Sequence, residues 1–442
     1  MKYLKKAIQS SSSSDAETQA TVRRLLAEIE SEGEAGVRRY NQQLDGWEGD
    51  VIVAPEAFDR ASRSLSSSVK DDLRFARDRV RDFARKQRES CVEFETTLTD
   101  GLVAGQRLIP VSSVGCYVPG GRYAHAASAI MSICTARVAG VENVIAATPA
   151  HGTDGINPAI LYAMQISEVD TVLAAGGVQG IAALAFGLFT GNPADIIVGP
   201  GNRFVAEAKR VLFGRIGIDV VAGPTESLVI ADDSANAHIV AADLAGQAEH
   251  GTDSPVWLIT TSEDLGLEVL KLMPDTIADL PEPARSVAGE AWQNYGEIVL
   301  VENREEACRV SDQYASEHLQ VQARDLDWWL QNLKNYGSLF LGEETTVAFG
   351  DKCSGPNHIL PTRGAARYSG GLSVAKFTKI LTWQRMTRDG TKQIAPVAAR
   401  ISRLEGMEGH ARTSDVRLNT YFPDEQFELG SVPSEKPAKD SD

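Results

Sequence analysis

The ten residues Ala245-Gly-Gln247-Ala-Glu249-His250-Gly251-Thr-Asp253-Ser gather more metal-binding and proton-moving groups than any other stretch of the chain. On a helix closed by Gly251, Gln247 and His250 stand three apart and project from one face, so together they could hold a metal. One helix supplies only part of a coordination shell, because zinc takes about four ligands when structural and about three plus an open position when catalytic. The remaining donors must come from elsewhere. The seven histidines are His125, His151, His238, His250, His318, His358 and His410, and their contexts differ. His318 directly follows Glu317 at the start of an expected strand, where adjacent Glu and His can work as paired acid and base in a cleft. Asp351 and His358 are flanked by glycine and proline, as in a rigid functional loop. His410 follows Gly409 and comes five residues after Glu405.

These groups need a scaffold, and 442 residues are enough for two or three domains with their own cores. The formal charge of -16 argues against a broad nucleic-acid or anionic-membrane surface while leaving room for a small basic pocket. Five scattered cysteines without a CxxC pair point away from a disulfide framework or thiolate zinc site and towards a reducing cytoplasm. No apolar run approaches the roughly 18 residues of a membrane span.

The periodicity sets out the elements. Ser14-Asp-Ala-Glu17 matches a capping box, followed by Val22, Leu25, Leu26 and Ile29 at helical spacing. A second helix carries Val69, Leu73, Ala76, Val80 and Phe83, and Asp100-Gly101 turns a hairpin. From about residue 113, short apolar runs end in glycine and alternate with helical patterns: 114–118, 144–148, 171–175, 196–198 and 220–222. A second alternation follows, with runs at 228–231, 256–260, 298–301, 319–322 and 338–341. Such alternation predicts doubly wound parallel sheets, with glycine loops at strand ends where backbone amides can approach phosphates. Gly176-Gly177-Val-Gln179-Gly180 is not the G-x-G-x-x-G fingerprint, and no acidic residue stands convincingly at the ribose position after it.

The expected fold is α/β, with two doubly wound, Rossmann-like parallel-sheet domains, a helical N-terminal arm and a C-terminal dimerisation tail. The arm covers residues 1–14. Residues 15–112 and 227–370 form a discontinuous domain carrying most of the metal site, with a nucleotide-binding domain inserted over 113–226. Helical patterns at 375–383 and 395–404 suit a tail, 371–425, lying on a partner subunit, and 426–442 is polar and expected to be disordered.

Taken together, Tyr117-Val-Pro-Gly-Gly, Gly176-Gly-Val-Gln-Gly, Gly199-Pro-Gly-Asn, Ala222-Gly-Pro-Thr-Glu, Gln247-Ala-Glu-His-Gly, Ser316-Glu-His-Leu, Gly355-Pro-Asn-His-Ile-Leu-Pro-Thr and Glu405-Gly-Met-Glu-Gly-His closely resemble the zinc-dependent, NAD-linked histidinol dehydrogenases over roughly residues 20–418. The resemblance implies one zinc per subunit on Gln247, His250, Asp351 and His410, the last reaching across an intertwined homodimer. It implies NAD contacts from Tyr117, Gln179 and Asn202. Glu317 and His318 take the acid–base roles, and His318, His358 and Glu405 line the substrate site. The implied reaction is a four-electron oxidation of a primary alcohol to a carboxylate through an enclosed aldehyde.

Near the expected substrate, the chain departs from the biosynthetic enzymes. Arg122 and His125 offer anion contacts, Ala127 replaces a serine, and Thr225 stands where the family has a substrate-contacting serine. Arginine or protonated histidine suits a sulfonate or carboxylate better than a cationic amine. These departures are similar to the branch that oxidises (R)-2,3-dihydroxypropane-1-sulfonate to (R)-3-sulfolactate. The alternatives are L-histidinol oxidation to L-histidine and a non-catalytic metal- or nucleotide-binding relative.

Overall fold

The computed structural model describes residues 1–9, 16–120, 124–152, 155–220 and 223–431. Its strands are β1 (Lys2–Lys5), β2 (Phe94–Thr99), β3 (Leu102–Pro110), β4 (Ser113–Tyr117), β5 (Asn143–Thr148), β6 (Thr171–Ala174), β7 (Ile196–Val198), β8 (Gly217–Ile218), β9 (Ser227–Ala231), β10 (Val256–Thr260), β11 (Glu297–Leu300), β12 (His318–Gln322), β13 (Ser338–Leu341) and β14 (Thr378–Met386). By contact the chain divides into one unit of residues 1–90 and 110–378 and another of 91–109 and 379–442.

The first unit holds two sheets. One runs β6-β5-β4-β7-β8 and is parallel throughout. The other runs β1-β11-β10-β9-β12-β13, parallel except for β1, which adds antiparallel to β11. Leaving β1 aside, each sheet starts at a central strand, winds outwards through two more, then returns to the other side. The winding therefore reverses between β4 and β7 in one and between β9 and β12 in the other. Strands covered on both faces must be apolar along their whole length, and β4, β9 and β12 are buried at every position.

The helices of residues 16–90 differ from the expected grouping. Helix Ala16–Glu32 packs on helices Gly177–Phe186 and Arg203–Leu212, and helix Ser67–Ser90 packs on Ala126–Ala139. Val22, Leu25, Leu26 and Ile29 share a core with Val178, Ile181 and Leu184. At roughly 1.5–3 kcal/mol per buried aliphatic side chain, that face ties the segment to the five-stranded sheet rather than to residues 227–370. The arm at residues 1–9 contributes a strand, not a helix. The capping-box Ser14 and Asp15 lie outside the described residues, as do 432–442 of the expected disordered end. The run expected at 220–222 is preceded by the short β8, and 221–222 lie outside the described residues.

In the second unit, the hairpin β2–β3 turns at Gly101 (φ +77°) and joins β14 in a three-stranded sheet. The helix expected over 375–383 is instead a 3-10 turn, Val374–Phe377, leading into β14. β-Branched and aromatic residues at 378, 380, 382 and 383 favour the extended form. Helices Arg388–Leu404 and Glu408–Tyr421 pack together, with the Arg403 guanidinium paired to Glu408 and Asp415 at 3.1 and 2.5 Å. Val397, Ile401 and Leu404 form an exposed apolar stripe. Among the described residues, no helix is long and apolar enough to cross a membrane.

Candidate active site

The six-stranded sheet places its chemistry at the amino ends of its central strands. Glu317 and His318 open β12, and Glu226 immediately precedes β9 beside them. The main chain of Glu226 clamps both groups. Its N–H donates to Glu317 Oε2 (3.0 Å), and its carbonyl accepts from His318 Nδ1 (3.2 Å). Since a carbonyl only accepts, Nδ1 carries the proton, and Nε2 is left buried without a hydrogen bond, 3.5 Å from Asp351 Oδ1. At that distance the contact is one of charge rather than a made hydrogen bond.

Asp351, on helix Val347–Lys352, is the hub. Its Oδ2 lies 3.9 Å from His250 Nε2, and its backbone carbonyl accepts from His358 Nδ1 at 2.8 Å. His358 Nε2 then takes a hydrogen bond from the Ser128 hydroxyl (2.9 Å), at the start of the helix after β4. The helix carrying Gln247 spans Ala237–Ala248, two residues short of His250. Gly251 is not left-handed, so it does not close the helix. A turn in which His250 N–H reaches Gln247 O (3.3 Å) carries His250 onward.

Burial governs the titrations. It pushes the Glu317 carboxyl up to about 8 against the charge of His318. The same burial would lower His318, but Glu317 and Asp351 outweigh it and hold the imidazole up. Asp351 is buried too, yet His318, His358 and His250 keep its carboxyl well below the ordinary range. Burial lowers His250 to about 4, leaving a neutral ligand-ready ring.

A zinc ion fits this donor set. The Gln247 Oε1 is buried without a partner, His250 is neutral and Asp351 is ionised. Two donors about 2.1 Å from a tetrahedral ion stand roughly 3.4 Å apart, close to the 3.9 Å between His250 and Asp351. Among the described residues, no three His, Cys, Asp or Glu side chains form a metal cluster by themselves. His410, in the first turn of helix Glu408–Tyr421, and Glu405, capping helix Arg388–Leu404, belong to the second unit.

The five-stranded sheet uses its opposite, carboxyl edge. Tyr117 ends β4, and its hydroxyl accepts from Gly177 N–H at 2.9 Å. Gln179 follows on the helix after β6, with its Oε1 buried and unpartnered. Asn202 caps the helix after β7, accepting from the N–H groups of Phe204 and Val205. Gly199 sits between β4 and β7 at φ +119°, where a Cβ would meet Tyr117 O at 2.0 Å. Both sides of its peptide are gripped: Asp219 accepts its N–H (2.7 Å), and buried Lys209, paired to Asp219, donates to its carbonyl (2.9 Å). A dinucleotide fits such an edge, where glycines admit phosphates and helix N-termini carry positive dipole.

His125 joins the site beside His358, but burial and the nearby His358 and Lys352 lower its pKa to about 4. The expected protonated anion contact is therefore a neutral ring at pH 7. Arg122 lies outside the described residues. Thr225 is half-buried next to Glu226. Sequence reasoning gave no role to Glu226, although it lay inside a noted motif, nor to Ser128, one residue past the alanine flagged at 127. It also overlooked the Lys209–Asp219 brace, for which a charged pair flanking a glycine loop was the available signal.

The histidinol dehydrogenase family model matches residues 8–418. The sulfopropanediol 3-dehydrogenase of Ruegeria pomeroyi is 54% identical over 97% of this chain and 99% of its own length. A second protein of that organism, named a histidinol dehydrogenase homolog, is 58% identical over 90% of this chain and 92% of its own. The crystal structure of histidinol dehydrogenase from Elizabethkingia anophelis superposes with a TM-score of 0.88 at 31% identity, covering 94% of this chain and 95% of that one. With its metal-ready amino edge and glycine-lined carboxyl edge, the chain belongs to the histidinol dehydrogenase family and is an NAD-dependent dehydrogenase acting on CH–OH.

Proposed function

We propose that the chain oxidises a small anionic primary alcohol to a carboxylate in two NAD-linked steps, with 2,3-dihydroxypropane-1-sulfonate as substrate and 3-sulfolactate as product. The observation that carries the chemistry is His318 Nε2: buried, unpartnered and facing Asp351, with Nδ1 fixed on the Glu226 carbonyl. Asp351 holds a proton on this atom while its own charge is unmatched; with that charge offset by a bound zinc, Nε2 would be freed to act as a general base that takes the alcohol proton as hydride leaves. Gln247, His250 and Asp351, with His410 of the partner subunit, would hold zinc, which would polarise the alcohol oxygen when bound. Tyr117, Gln179 and Asn202 would contact NAD. Glu317, in its ionised form, would then take a proton from the water that adds to the aldehyde. The overall balance is one alcohol, two NAD⁺ and one water giving one carboxylate, two NADH and three protons.

Support for an anionic substrate comes from the relative's name and from charge at the site. Lys352, directly after Asp351, makes no ion pair among the described residues, and its charge reaches His125, His250 and His358. Thr225, His358 and Glu405 would complete the substrate pocket, with Arg122 a further candidate and His125 offering a neutral N–H. The exposed stripe on helix Arg388–Leu404 favours a homodimer in which these tails are covered. The test is a substrate panel with zinc-loaded protein: the sulfonate should be turned over and L-histidinol should not. The opposite result would make histidinol the substrate. Turnover of neither would favour a non-catalytic binding protein.

A further inference from the structure

The fingerprint for dinucleotide binding asks for a carboxylate near the end of the strand after the first helix, where it binds the adenosine ribose. Here that strand is β5, which ends at Thr148 and runs into Pro149 with no acid. A carboxylate nevertheless stands there, supplied from far away in sequence. Asp45 closes the five-residue π-turn Asn41–Asp45, whose first residue is tied to the sheet by Asn41 Nδ2 donating to Ala174 O at 2.8 Å. Gly46, left-handed at φ 65°, ends the turn. A Cβ added to Gly176 would lie 2.7 Å from Pro149 Cβ and 3.0 Å from Asp45 Oδ2, so Asp45 sits at the joint carboxyl ends of β5 and β6. π-Turns of this kind are frequent at functional sites.

Asp45 is half-buried and accepts from Gln179 Nε2 at 2.9 Å, while the other amide atom of Gln179, 1% exposed, has no partner. Among the described residues, no lysine or arginine pairs with Asp45. The nearby imidazole of His151 gives its Nε2 to Gly120 O at 3.1 Å. Among the described residues, the result is a half-buried carboxylate beside a buried amide, with no lysine or arginine paired to the carboxylate.

We propose that Asp45, held in place by Gln179, binds the adenosine ribose hydroxyls and excludes a 2′-phosphate, making it the residue that selects NAD over NADP. This rests on the dinucleotide reading of the carboxyl edge. Two ribose hydroxyls can donate to the carboxylate, whereas a 2′-phosphate would bring about two negative charges against it.

The test uses the full-length protein with ADP-ribose and 2′-phospho-ADP-ribose, by calorimetry, alongside kcat/KM for NAD and NADP. Wild type should prefer the unphosphorylated ligand by on the order of 100-fold. Asp45→Asn and Asp45→Ser should each collapse that ratio at least tenfold, mainly by gaining affinity for the phosphorylated ligand. Two variants are used so that a folding defect in one, read by circular dichroism, does not decide the matter. An unchanged ratio in folded variants would reduce Asp45 to a structural partner of Gln179 and overturn the proposal while leaving the dinucleotide site standing. If wild type bound neither ADP-ribose nor NAD, the dinucleotide reading would fall as well.

Discussion

The two sheets of the first unit share a strand order but work from opposite edges. At the carboxyl edge of the five-stranded sheet, helices begin, so their positive dipole ends gather there. Glycines there keep side chains away from Tyr117 and Gly199. At the amino edge of the six-stranded sheet, helices end. Helix Ala237–Ala248 runs back from β9 to deliver Gln247 and His250 at its negative end, and Asp351 likewise lies in the last turn of its helix. One edge is suited to anions and the other to a cation and its acid–base partners. Similar topology thus yields two half-sites through polarity rather than through shared residues.

The comparison predicts different ways of breaking each half. The amino edge should fail on losing one atom. His318→Asn removes Nε2 and should lower kcat by about 10² to 10⁴ while leaving ADP-ribose affinity unchanged by calorimetry. Equal losses in both would mean that the halves are not separable. Next comes the brace under the carboxyl edge. Lys209→Met leaves Asp219 buried without its counter-charge and should destabilise the protein by about 3–5 kcal/mol in urea titrations. A change below 1 kcal/mol would contradict the burial argument.

The carboxyl edge should also fail on gaining an atom. Gly199→Ala places a Cβ against Tyr117 O at φ +119°, at a strain cost of roughly 1–3 kcal/mol, and should weaken NAD binding with zinc content unchanged. The smallest effect concerns pH. Burial raises the Glu226 carboxyl from 4.5 to about 7, so the folded state holds a proton that the unfolded chain has released. That contribution to stability is lost as pH rises from about 4.5 through about 7. Metal-free Glu226→Gln should therefore lose less stability than wild type between about pH 5 and about pH 8. A parallel loss would place the titration elsewhere.

Most strands were legible because a buried parallel strand must be apolar throughout and must stop at a turn residue, as 144–148 and 256–260 do. Which sheet a helix packs on is not written in its own period, so Val22 to Ile29 gave a helix but not its partner. β14 was misread because Phe377, Ile380 and Leu381 also satisfy a helical spacing. At the site, residue type pointed to Glu317, His318 and His250, whereas protonation did not follow from type. His125 reads as a cation until its burial beside His358 and Lys352 is known. Glu226 acts on Glu317 and His318 through its main chain, which no side-chain pattern can announce.

The most direct test of the account is the yield of NADH from limiting 2,3-dihydroxypropane-1-sulfonate with excess NAD and an aldehyde trap in solution. Two half-sites that act in sequence on one enclosed substrate predict two NADH and one carboxylate per alcohol, with no trapped aldehyde. One NADH per alcohol with the aldehyde captured in the trap would contradict it.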